Sequence, residues 1–298
     1  MLKAVRLYSV TIVLSLALTA CRSAGTVASQ KEREYAAFGN PERIAIRGFS
    51  DHAMEPFITR DARYLFFNNS NDPSVNTNIH YAERINDLTF EYKGEVAGVN
   101  TQALEGVPTM DKNGAFYFVS TRSYKETLST IYRGRFSNGA LTGVKIVEGI
   151  SEKEPGRVNF DVEVSADGRT LYFVDGVFSG KPTPDKSDIA IAVRDGAGFR
   201  HLPESAELLK NVNTGALEYA ACVSPDELEL FFTRVGRDGP AIYRSTRKNV
   251  TQPFDSPVRV AAIRGFVEAP ALSADGRYLY YHLKEGERFV IYRVTRSP

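Results

Sequence analysis

The sequence contains no tryptophan, and its two cysteines and four histidines are spread thinly over 298 residues. Without tryptophan, the strongest stacking surface for a sugar ring is missing, and tyrosine or phenylalanine would have to serve in its place. His52, His80, His201 and His282 have no metal-ligand spacing, and His80 and His282 lie in or beside strand-like runs where a packed, hydrogen-bonded imidazole is expected. No phosphate-cradling glycine loop and no Gly-x-Ser-x-Gly elbow occurs, and Asn69 to Asp72 lacks the ordered spacing of an EF-hand loop. No metal and no cofactor is therefore expected. Charge of one sign is lacking too: the formal net charge is +1, which leaves no electrostatic footprint for nucleic acid.

What the chain does have is a repeat. Thr59 to Phe67 (TRDARYLFF), Asp111 to Phe118 (DKNGAFYF), Ser165 to Phe173 (SADGRTLYF), Ser224 to Phe232 (SPDELELFF) and Ser273 to Tyr281 (SADGRYLYY) are versions of one unit. Each reads as an apolar strand, a tight polar turn and an aromatic strand. Short polar side chains satisfy the turn amides, and glycine supplies a positive φ at Gly114, Gly168 and Gly276. Ala62 and Glu227 stand where the other copies have glycine, at a cost of up to about 1 kcal/mol each or in a different turn. Consecutive apolar residues such as Tyr64-Leu65-Phe66-Phe67 predict strands buried on both faces. A third strand follows in every copy, for example Ile131-Tyr132-Arg133, and a fourth in most, for example Val258 to Ala261. Four antiparallel strands per unit, repeated five times, predict an all-β fold: a single five-bladed β-propeller.

The pattern Pro-x-x-Ser-x-Asp-Gly-Arg-x-Leu-Tyr-Phe, best matched by Pro270 to Tyr281, resembles the WD40-like propeller repeat of TolB-type envelope proteins. The resemblance spans nearly all of the chain after residue 20. It implies blade architecture and says little about chemistry, because that repeat occurs in proteins of unrelated roles. TolB-like proteins carry a further N-terminal domain for which this sequence has no counterpart.

At the N-terminus, Lys3 and Arg6 precede an apolar stretch from Leu7 to Leu18, too short to span a membrane and laid out as an export signal. Leu18-Thr19-Ala20-Cys21 resembles the bacterial lipobox, which implies lipidation of Cys21, a membrane anchor and an envelope location. Arg22 after the cysteine favours the outer membrane, facing the periplasm. Loss of Lys3 and Arg6 with residues 1–20 takes the formal charge from +1 to −1. Cys222 is then left without a partner and is expected as a buried structural thiol. Residues 21–42 read as the lipidated start and a flexible tether, and 43–298 as the propeller, monomeric. Arg43 to Phe49 echoes Val258 to Phe266, so the N-terminal segment is expected to supply the last blade's missing strand.

Function is expected on the face where connectors enter each unit. An acid recurs there: Glu55, Glu105, Asp161 with Glu163, Glu218 and Glu268. Such carboxylates around one axis would raise one another's pKa, as active and cation sites exploit, or would cap neighbouring amides as a repeated structural device. The near-identical strings Val99 to Glu105 and Val212 to Glu218 speak for capping. Loops of unequal length on that face offer Asn69, Arg122, Asp175 and Arg234 as ligand-binding residues. Two functions stay open: an envelope binding or scaffold protein holding a polar ligand, a glycan or a partner protein, and a glycoside-active enzyme whose catalytic residues come from the five recurring acids.

Overall fold

The computed structural model describes residues 33–297 apart from 73 and 182. Cys21 and the expected export signal lie outside the described residues, as do residues 21–32 of the expected tether. The fold is the five-bladed propeller expected from the repeat, each blade an antiparallel sheet running outward from the axis. Its innermost strands are Met54–Ile58, Glu105–Met110, Arg157–Val164, Glu218–Val223 and Val267–Leu272. The second strands carry the aromatic runs, and Phe66, Phe67, Tyr117, Phe173, Phe232 and Tyr281 are among the largest fully buried side chains. Consecutive residues point to opposite faces, so each run packs into both neighbouring blades. Leu104 and Tyr117 of the second blade thus share a core with Val164, Leu171 and Phe199 of the third. Burying each such aromatic contributes about 1.5 to 3 kcal/mol.

The turns follow their polar signature. Ser165 Oγ donates to Asp167 Oδ1 at 2.8 Å, and the Thr170 amide donates back to Ser165 Oγ at 3.0 Å. Ala62 (φ 56°) and Glu227 (φ 58°) occupy the left-handed position that Gly114, Gly168 and Gly276 fill elsewhere.

Ring closure differs in detail from the expectation. The strand that completes the last blade is Phe38–Arg43, antiparallel to Arg288–Arg296, with Phe38 opposite Arg296 and Arg43 opposite Tyr292. Most of this strand falls within residues 21–42, which the composition reads as a tether. Strand pairing begins earlier still, where Glu34–Tyr35 runs parallel to Val258–Val260 on the fourth blade, and Ala45–Arg47 then pairs in parallel with Thr89–Glu95 on the first. The sequence echo marks the connector into the following blade, with Gly48 and Gly265 both at positive φ. The closing strand lies just upstream of it, where Phe-Gly-Asn-Pro carries no alternation to reveal it. One short segment thereby covers the outer edges of three blades, including the edge that would otherwise pair with another chain.

Candidate functional site

Every innermost strand is interrupted by a bulge, between Met54 and Phe57, Gly106 and Thr109, Phe160 and Glu163, Tyr219 and Cys222, and Glu268 and Ala271. At each bulge a non-glycine residue adopts a left-handed backbone: Glu55 (φ 49°), Val107 (54°), Asp161 (50°), Ala220 (51°) and Ala269 (56°). Such a conformation costs of order 1 kcal/mol or more and re-aims the side chain it carries. Aligned on the bulge, the five recurring acids are not equivalent. Glu55 and Asp161 occupy the bulge itself, Glu268 precedes it by one residue, and Glu105 and Glu218 precede it by two.

That offset separates the acids by role. Glu105 is fully buried and turns back on its own connector: the Thr101 amide and hydroxyl each donate to it at 2.8 Å, Ser120 Oγ at 2.6 Å and Arg122 at 3.2 Å. Glu218 repeats the arrangement with the Thr214 amide at 3.0 Å, its hydroxyl at 2.6 Å and Arg234 Nε at 2.7 Å. Glu163 lies beyond the bulge, held by Thr109 Oγ1 at 2.5 Å and Arg60 at 3.3 Å.

The loop residues expected to bind ligand are likewise engaged within the chain. Arg122 also donates to the Val99 carbonyl and lies over Phe118 and Tyr132, while Arg234 donates to the Val212 carbonyl and lies over Phe232 and Tyr243. Both guanidinium groups thus brace the repeated Asn-Thr connector. Asn69 Oδ1 accepts from the Asn78 amide at 2.8 Å, closing its own loop, and Asp175 pairs with Arg157 at 2.6 Å.

The bulge amides are latched from the preceding blade. Asn68 Oδ1 accepts from the Val107 amide at 3.1 Å, Thr233 Oγ1 from the Ala269 amide at 3.1 Å and His282 Nδ1 from the Glu55 amide at 3.1 Å. Asn68, Thr233 and His282 hold corresponding places opposite Met54, Tyr219 and Glu268 on their second strands. In the second and third blades that place is taken by Val119 and Val174, which cannot accept a hydrogen bond. The Ala220 amide donates instead to Asp161 Oδ2 at 3.0 Å. The symmetry of the ring breaks here, beside the two acids at bulge positions.

Around them the proton inventory can be read from the hydrogen bonds. The Glu55 amide occupies His282 Nδ1, so the imidazole proton sits on Nε2 and is donated to Glu268 Oε2 at 3.1 Å. Burial pushes the imidazole down, while its bond to Glu268 and the charges of Glu55 and Glu268 push it up by more, for a net rise. The neutral tautomer is nevertheless the one this geometry accommodates. Tyr219 donates its phenolic proton to Glu268 Oε1, and burial, with Glu268 beside it, holds that phenol well above its ordinary value.

Glu55 accepts from Asn71 Nδ2 through Oε1 at 2.8 Å, whereas its buried Oε2 has no hydrogen-bond partner. Burial, with Asp161 and Glu268 nearby, pushes Glu55 up to about 8 despite His282. Burial, with Glu268 adding to it, raises Asp161 to about 7 against the pull of the Ala220 amide. Both acids line a cavity of about 50 Å³ walled by Leu104, Val107, Val119, Val158, Phe160 and Phe178, with Asn71, Thr121 and Tyr219 completing it. Among the described residues no cluster of His, Cys, Asp or Glu is suited to a metal ion.

His282, Tyr219, Asn68 and Asn71 join the site only in the structure. The signal available in the sequence is His282 standing in the aromatic strand where other copies have Asn68 or Thr233. Cys222 is buried as expected, its thiol raised by desolvation and its sulfur accepting from the Leu272 amide at 3.1 Å.

No protein-family model matches the chain, and no curated protein does. Among solved structures it superposes on Zg3597, a family 117 glycoside hydrolase of Zobellia galactanivorans, with a TM-score of 0.60 at 10% identity, covering 87% of this chain and 90% of that one. The catalytic domain of the Coprinopsis cinerea family 62 α-L-arabinofuranosidase gives 0.57 at 12% identity, covering 89% and 97%. A thermostable family 43 glycoside hydrolase gives 0.55 at 13%, covering 86% and 97%. TolB from Acinetobacter baumannii is a looser match, 0.46 at 14%, covering 83% and 55%. At these identities the likeness is one of fold.

Proposed function

We propose that the protein is a glycoside-active enzyme of the cell envelope, anchored through lipidated Cys21, with Glu55 and Asp161 as its catalytic carboxyls. The observation that carries this reading is the pair itself: two acids at symmetry-broken bulge positions, buried in one cavity, each with its proton affinity raised toward neutrality. The glycoside hydrolases with similar propellers lend support. Near neutral pH Glu55 keeps its proton, whose natural seat is the unpartnered Oε2, and can pass it to the glycosidic oxygen as the bond to the anomeric carbon breaks. Asp161, about half ionised, can take a proton from the water that attacks that carbon. The cavity is roughly a third of the ~150 Å³ that holds a benzene ring. The sugar ring therefore lies across the mouth, and only small groups attached to it reach inward.

The test is release of 4-nitrophenol or reducing ends by the detergent-solubilised full chain from a panel of aryl glycosides and oligosaccharides. Glu55→Gln and Asp161→Asn are each expected to lower kcat/KM by about 10²- to 10⁴-fold with the melting temperature retained. Activity that survives both substitutions, or no turnover of any glycoside, overturns the assignment. The small cavity favours one second reading, a binding or scaffold protein that holds a glycan or a partner at the same mouth. Saturable glycan binding without products would select it. The anchor has its own check, since Cys21→Ser should release the folded protein from the membrane pellet.

A further inference from the structure

The cavity beside Glu55 and Asp161 also restricts the chemistry of what enters it. Of its lining side chains, Leu104, Val107, Val119, Val158, Phe160 and Phe178 are apolar, and none is cationic. The polar ones are largely committed. Asn71 donates to Glu55 and accepts from Asn68 at 2.9 Å, Thr121 Oγ1 accepts from the Leu104 amide at 3.3 Å, and Tyr219 donates to Glu268. The acceptor capacity left over lies mainly in Glu55 Oε2 and Asp161, which the proposed reaction needs for the glycosidic oxygen and for water, while the Thr121 hydroxyl proton and the second Asn71 N–H remain as donors.

A hydroxymethyl group inserted here could accept from Thr121 but would bury its own proton without an acceptor outside the catalytic pair, at a cost of order 1 to 3 kcal/mol. A carboxylate, sulfate or phosphate would meet Glu55, Asp161 and nearby Glu268 with no guanidinium or ammonium to balance it. A methyl group is close in size to water, which occupies about 30 Å³, so it fits the 50 Å³ space and removes apolar area on every wall. We infer that the sugar at this site is a 6-deoxyhexose, placed with its C5 methyl group in the cavity formed by Leu104, Val107, Val119 and Val158. This inference rests on the glycoside reading.

Matched pairs of sugars that differ only at C6 test it. Hydrolysis of 4-nitrophenyl β-D-fucoside is compared with β-D-galactoside, and of α-L-rhamnoside with α-L-mannoside, using the full-length protein. In whichever pair is turned over, kcat/KM should favour the deoxy sugar by about 10- to 200-fold, the range in which small pocket groups discriminate. Val119→Thr adds a wall hydroxyl at nearly constant shape and should lower that preference at least several-fold. Should this variant fail to fold, the wild-type comparison decides alone. Equal rates within a turned-over pair, or faster cleavage of the hydroxylated sugar, overturn the methyl assignment and leave glycoside hydrolysis standing. If no glycoside is cleaved, the hydrolase reading falls separately. Saturation-transfer NMR with free L-fucose against L-galactose then still decides the methyl preference, and equal or absent contact at the C6 protons sinks it.

Discussion

Glu105 and Glu55 are the same residue type near the same end of an innermost strand, and both are buried. Glu105 has a hydrogen-bond or ionic partner on each oxygen, supplied by Thr101, Ser120 and Arg122, all from its own blade. Glu55 keeps one oxygen bare beside an apolar cavity and is pushed up to about 8 by that burial. Two residues of offset relative to a bulge separate them. The comparison teaches that in a ring of repeats an acid's role is set by its register against the bulge, and its recurrence in the sequence alone does not reveal it.

The strongest challenge to that contrast is stability. Glu105→Ala and Glu218→Ala each strand an arginine and several donors, and about 3 kcal/mol of unfolding free energy should be lost in chemical denaturation. Glu55→Gln retains an acceptor for Asn71 and removes an acid that burial opposes, so it should lose far less. Comparable losses in all three variants would erase the distinction.

The pH dependence sharpens it. Folded Glu55 and Asp161 hold their protons up to about 8 and about 7, while the unfolded chain releases them near 4.5 and 3.8. Between those limits the folded state binds more protons, so stability falls as pH rises through the window and levels off above it. Glu55→Gln should flatten the upper part of that decline and Asp161→Asn the lower. Curves parallel to wild type would mean that the two carboxyls ionise ordinarily.

The smallest expected effect lies in the turns, where the same contrast between a free and an engaged side chain recurs. Ala62→Gly should stabilise by up to about 1 kcal/mol because Ala62 sits at φ 56°. Glu227→Gly gains the same backbone relief but forfeits bonds from Thr170 at 3.2 Å and Tyr172 at 3.0 Å, so it should be neutral or worse. Equal gains in thermal melts would show that those bonds contribute nothing.

The repeat makes blade number and strand order legible, because few architectures bury both faces of a run such as Tyr64 to Phe67. Alignment of its copies also marks Ala62 and Glu227 as left-handed positions, and both have positive φ. The N-terminal segment does close the last blade, but through Phe38–Arg43, upstream of the echo at Arg43 to Phe49, since an edge strand half open to solvent carries little alternation. Of the five recurring acids, the near-identical strings ending in Glu105 and Glu218 signal capping, and both acids do cap. The strings around Glu55 and Asp161 carry no comparable signal.

What the sequence determined by itself is therefore the periodic part of this protein: turn chemistry, aromatic strands and a ring of like units, all encoded by residues that are neighbours in the chain. The tertiary structure decided which carboxyls share one cavity, because the bulge that re-aims Glu55 is latched by His282, 227 residues along the chain, and Asp161 is held by the Ala220 amide of the next blade. Proton affinity follows from burial and neighbouring charge, and neither exists until the ring has closed.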